Sequence, residues 1–157
     1  MRTFFLIFIL ILLSLNIFPQ SKGIETGLYI VLSKKACLGQ KNISKITYQS
    51  DTLCLKNKPI ITLRDIELCF SDSTKLDGQN TYALNIKLKK SMIKKFKTIT
   101  EKNVGKRIAM IIDKKVIMAA VLRDPITTGR LTVSGESVEK LKELEIKLNK
   151  ELKEINK

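Results

Sequence analysis

Apolar and polar positions along the chain follow two different periods. Tyr82, Leu84, Ile86 and Leu88 alternate with Ala83, Asn85 and Lys87, the period-two pattern of a half-buried strand. A helix follows at once. Met92, Phe96 and Ile99 recur at i, i+4 and i+7 with Ile93 beside them, which leaves Lys90, Lys94, Lys95 and Lys97 for water. Gly105 is placed to end that helix through a left-handed residue. Two apolar runs, residues 108–112 and 116–122, are then split by Asp113, Lys114 and Lys115. Being short and rich in Ile and Val, they predict a buried hairpin. The last segment is a helix. Ser137 is its N-cap, Glu139 lies in its first turn and Lys150 and Lys153 in its last, each matching the helix dipole. Val138, Leu141, Leu144, Leu148, Leu152 and Ile155 form one stripe, which suits packing on a sheet and, by its spacing, also a coiled-coil seam. The sum is an α+β fold, a small, mostly antiparallel sheet with two main helices, at about 89–103 and 137–155, packed on it.

Upstream the pattern is weaker. Gly27–Leu32 reads as a strand and residues 33–41 as a polar loop. Ile43–Tyr48 and residues 53–55 read as strands joined by turn chemistry at Gln49, Ser50 and Asp51. Residues 60–63 and 66–70 are either two short strands or a strand and a helical turn, with Thr62 able to cap a turn starting at Leu63. Residues 71–80 read as a polar loop whose turn signal is Asp77-Gly78.

The run over residues 100–135, TEKNVGKRIAMIIDKKVIMAAVLRDPITTGRLTVSG, resembles the head part of the first periplasmic domain of SecD, an accessory subunit of the bacterial protein-export translocase. The resemblance rests on Thr100, Asn103, Gly105, Ala109, Asp113, Val116, Ile126, Gly129, Ser134 and Gly135, with Asp65-Ile66 and the final helix in the matching places, and it spans about residues 59–155. Lys114 stands where that family usually has Gly, and Ala120 where it usually has Pro. As a family motif, Thr100, Asn103, Gly105, Asp113, Ile126, Gly129 and Gly135 are packing and turn residues. The resemblance implies contact with polypeptide through an exposed sheet edge or a groove between sheet and helix. The apolar hairpin, at Val116, Met118, Ala120 and Leu122, is the expected place, because Ala120 lacks the block on edge pairing that Pro would supply.

Composition adds an address. Arg2, the apolar residues 4–18, and then Pro19, Gln20 and Ser21 describe a secretory signal peptide, with cleavage near Ser21 and a single domain over residues 22–157. The 15-residue apolar run is short of the roughly 20 that cross a bilayer, although an uncleaved N-terminal anchor is the alternative. The protein is therefore expected outside the cytoplasm, periplasmic or extracellular. Its net charge of +14 attracts polyanions. No aromatic residues interleave with the lysines, so nucleic acid is not the expected partner; a polypeptide or translocase component is, with an anionic lipid or polymer surface as the alternative. Cys37, Cys54 and Cys69 are an odd set. Each can be a small buried hydrophobe; if one bridge forms, Cys37 with Cys54 is expected, since both lie in the loop-rich N-terminal third. With no His and widely spaced Cys, no metal site, no cofactor and no catalytic residues are expected. The reading is an exported, non-enzymatic protein-binding module.

Overall fold

The computed structural model describes residues 23–39, 41–76 and 79–155. The apolar segment at residues 4–18, its exit near Ser21 and the Asp77-Gly78 turn lie outside the described residues. In chain order the elements are β1 (Gly27–Leu32), α1 (Lys34–Gly39), β2 (Ile43–Tyr48), β3 (Asp51–Lys56), β4 (Ile61–Thr62), a 3-10 turn (Leu63–Asp65), β5 (Ile66–Leu76) and β6 (Gln79–Leu88). Then follow α2 (Lys90–Glu101), β7 (Arg107–Ile112), β8 (Lys115–Val121), β9 (Arg130–Val133) and α3 (Val138–Ile155).

The α+β class holds, with two sheets where one was expected. One has the order β2-β3-β1-β7-β8, with β4 also on β1; the other has the order β5-β6-β9. All these pairings are antiparallel. The reason for the larger sheet is the composition of β1 and β7. GLYIVL and RIAMII are apolar without alternation, so both faces need cover. On one face Leu28, Ile108, Met110 and Ile112 join the main core with Leu84, Ile86 and Leu88 of β6, Phe96 of α2 and Leu141, Leu144, Leu148 and Leu152 of α3. On the other face Tyr29, Ala109 and Ile111 pack with Leu53 and Leu55 of β3 in a second core. The sheet curls to enclose it, and β2 comes round to touch β8. Gly27 is needed where β4 crosses β1, because a Cβ there would lie 2.4 Å from the Ile61 carbonyl oxygen.

The stripe on α3 is buried against β5 and β6, which settles its use in favour of the sheet; Val138 and Ile155 at its ends stay partly exposed. Two loops expected from sequence are ordered elements. Residues 71–76 and 79–80 continue the β5–β6 hairpin, in register from Ser71↔Leu84 to Leu76↔Gln79, because the ladder satisfies backbone groups even where no side of the strand is apolar. Within residues 33–41, α1 forms. Ser33 starts it, its Oγ accepting from the Ala36 N–H at 3.3 Å and its carbonyl from the Cys37 N–H at 2.9 Å. At residues 62–65 a 3-10 turn precedes β5, and the Asp65 carboxylate accepts from both the N–H and the hydroxyl of Thr62 at 2.8 Å.

Candidate functional site: a motif junction and an open sheet edge

Four of the seven motif residues, Thr100, Asn103, Gly105 and Ile126, meet at one junction, where α2 ends and β7 begins, while Gly129 packs at the start of α2. Thr100 is fully buried on α2, and its hydroxyl donates to the Phe96 carbonyl at 3.0 Å while accepting from the Ile126 N–H at 3.0 Å. Asn103 caps the helix end, its Nδ2 donating to the Ile99 carbonyl at 2.7 Å. Gly105, at φ +82°, turns the chain, and its N–H donates to the Leu122 carbonyl at 2.8 Å. Gly129, at φ +64°, passes so close to α2 that a Cβ would lie 2.7 Å from Ile93 Cγ1, while its carbonyl accepts from the Leu88 N–H at 2.9 Å. Contacts at the two ends of α2 thus tie it to β6, β7, the end of β8 and the strand entering β9. Valine at position 100 would preserve the shape and leave the Ile126 N–H without its acceptor. Thr100→Val is expected to cost about 1–3 kcal/mol, read as a lower urea midpoint at unchanged slope.

Asp113 and Gly135 stand apart from that junction. Asp113 and Lys114 both have positive φ, +48° and +61°, so Lys114 adopts the left-handed backbone that Gly takes more readily. The Asp113 carboxylate pairs with Lys147 of α3, and that partner holds its carboxyl below the usual carboxylate range. Arg107 does the same for Asp51 at the start of β3. Gly135, at φ +89°, leads into α3.

The expected contact strand, β8, is the last in its sheet; among the described residues it pairs with β7 alone, although β2 comes round to touch it. A register shift between Met110/Ile111 and Met118/Val116 makes a bulge at Ile117. That bulge divides the expected contact residues: Met118 packs on the main core, Val116 on the second, and they no longer share a face. Leu122 lies past β8 with 5 % of its surface exposed, so its side chain is not open to a partner. Ala120 and Val121 are exposed. Because the Leu122 N–H bonds to the Lys106 carbonyl at 2.8 Å, alternation turns the Ala120 N–H toward β7 and the N–H groups of Ala119 and Val121 outward. A proline at position 120 would therefore break a ladder bond; the outer edge is governed by positions 119 and 121.

The outer side of β5 is closed in comparison. Glu145 of α3 accepts from the N–H and hydroxyl of Ser71, and Asn149 Nδ2 donates to the Cys69 carbonyl at 3.1 Å. These capping residues sit between the apolar positions of α3 and carry no sequence signal. Cys37 and Cys54 are joined by a disulfide with Cα atoms 5.8 Å apart, which staples α1 to β3. Cys69 is a buried free thiol, and burial, with the Glu145 charge beside it, pushes it up to about 12. Among the described residues no group of three or more Cys, Asp or Glu side chains is gathered as metal ligands would be, and no helix is long and apolar enough to cross a membrane.

Comparisons with known proteins place this geometry. The family model described as SecDF, P1 head subdomain, matches residues 16–151, so it includes the N-terminal third that the resemblance read from residues 59–155 leaves out. The protein translocase subunit SecD of Thermobaculum terrenum is 36 % identical over 89 residues, which is 57 % of this chain and 17 % of that protein. The SecD of Aquifex aeolicus is 34 % identical over 79 residues, 50 % of this chain and 15 % of that protein. The chain thus matches under a fifth of the length of these relatives. A crystal structure of SecDF in a super-membrane-facing form superposes with TM-score 0.59 at 22 % identity, over 78 % of this chain and 18 % of that one. A second SecDF structure, of a membrane component that enhances protein export, gives 0.57 at 20 % identity, over 80 % of this chain and 63 % of that one. With its matched region covering most of its length, the chain belongs to the SecDF P1 head subdomain family.

Proposed function

We propose that this protein is an exported, non-catalytic module of the cell envelope that takes an extended segment of polypeptide, a translocating or unfolded chain, onto the edge of β8 that no strand among the described residues pairs with. The observation that carries the reading is the terminal place of β8 in its sheet, with the N–H groups of Ala119 and Val121 turned outward. Main-chain hydrogen bonds of an added strand are indifferent to sequence, which suits a partner whose sequence varies. The capped edge of β5 supports β8 as the acceptor, and the membership in a family of translocase heads supports a polypeptide as the cargo. The N-terminal apolar segment, read as a signal peptide or an anchor, would carry the domain across the membrane.

The test is binding of a permanently unfolded protein, such as reduced and carboxymethylated α-lactalbumin, at moderate salt. Val121→Pro removes an outward N–H without touching the β7 ladder, and it is expected to weaken binding by about tenfold or more. Strand addition should persist at about 0.5 M salt, where exposed charge attraction is screened. Equal binding by a folded Val121→Pro variant, or no binding by the wild type, would sink the proposal.

A further inference from the structure

Positive charge is concentrated on one part of this surface. Residues 87–107 hold nine lysines and arginines against Glu101 alone, a net +8 of the chain's +14. On α3, by contrast, five glutamates face five lysines, and Lys140 pairs with Glu143 at 2.8 Å. The rotation of α2 is fixed by the burial of Phe96 and Thr100, which leaves Lys90, Lys94 and Lys95 exposed. None of these three has a carboxylate within ion-pair distance among the described residues; on α2 only Lys97 does, meeting Glu101 at 3.6 Å. Just past the helix, Val104 is 46 % exposed between Lys102 and Lys106.

We propose that this lysine face of α2 docks on an anionic bilayer surface, with the ammonium groups at the phosphate level and Val104 entering the headgroup layer. Three features select a bilayer over other polyanions. Phe96, the sole aromatic residue in 87–107, is buried, so the face offers no platform on which bases could stack. The unpaired cations are all lysines, point charges suited to a diffuse negative surface; Arg107, which could clamp a carboxylate in a fixed geometry, is already engaged by Asp51. An exposed apolar side chain set among lysines is the composition of an interfacial segment. The inference stands apart from strand addition at β8, since it uses a different element and a different force.

The experiment measures co-sedimentation of the full chain with vesicles of pure phosphatidylcholine and with vesicles containing 30 % phosphatidylglycerol. Any contribution of the N-terminal apolar segment is common to both, so the ratio of the two affinities isolates the charged face. That ratio is expected to exceed about a hundredfold at 0.1 M salt and to fall towards unity at about 0.5 M. Each lysine near the surface contributes about fivefold, so Lys90→Glu, Lys94→Glu and Lys95→Glu, which also reverse the charge, together should lower anionic binding by at least about a hundredfold. A control with the same charge change, Lys35→Glu, Lys150→Glu and Lys153→Glu, should lower it far less. Equal loss in both triple variants would show that net charge alone acts, and a ratio near unity at low salt, which needs no variant, would overturn the docking itself. Tighter competition by a single-stranded oligonucleotide than by phosphatidylglycerol vesicles of equal charge would likewise reassign the face to nucleic acid.

Discussion

Phe96→Ala is expected to lower stability by about 3–5 kcal/mol and the melting temperature by about 10 °C or more. Phe96 is completely buried and belongs to the main core, which also holds residues of both sheets and the stripe of α3. No other fully buried apolar side chain on α2 shares that load, because Met92, Ile93 and Ile99 are only partly covered. A 12-residue helix rich in lysine does not hold itself together in water, so its attachment rests on this ring and on the Thr100 junction one turn later. Phe96→Leu, which refills most of the volume, should cost about 1–1.5 kcal/mol. Chemical denaturation with two probes checks the claim. A loss under 1 kcal/mol for the alanine variant would show that α2 is not anchored to the core in the way described.

Removal of the Cys37–Cys54 bridge, by Cys37→Ala with Cys54→Ala, is expected to cost about 3 kcal/mol. The two residues are 17 apart in sequence, and the unfolded chain regains about this much conformational freedom when a loop of that size is unlinked. The local consequence is larger than the global one. α1 is six residues long and Leu38 on it is 87 % exposed, so little besides the bridge holds α1 against β3. Thermal melts of the wild type with and without dithiothreitol measure the effect, and intact mass should show the loss of two hydrogens. A melt that reductant leaves unmoved would contradict the stapling role.

Much of this architecture was readable from residue pattern alone, where burial imposes a period. The stripe on α3, the alternation in β6 and the Asp113-Lys114 turn each announce themselves because one face must avoid water. Ser71, Asp72 and Ser73 are polar in succession and none is buried, so they look like a loop although they are paired. The second sheet escaped for a related reason: a strand buried on both sides is apolar throughout and does not say what covers each side. At the candidate contact strand, the bulge at Ile117 shifts the phase by one residue, so Val116 and Met118 part company despite their spacing of two. The capping of β5 by Glu145 and Asn149 depends on tertiary placement and leaves no trace in a one-dimensional pattern.

The state of Cys69 bears on how the chain matures. With a thiol pushed up to about 12 and shielded inside the main core, Cys69 stays protonated at neutral pH. Scrambling of the Cys37–Cys54 bridge by Cys69 needs the sulfur anion as attacker. Once Cys69 has been sequestered, the odd cysteine ceases to compete, and the Cys37–Cys54 pairing should hold unshuffled for as long as the core stays folded.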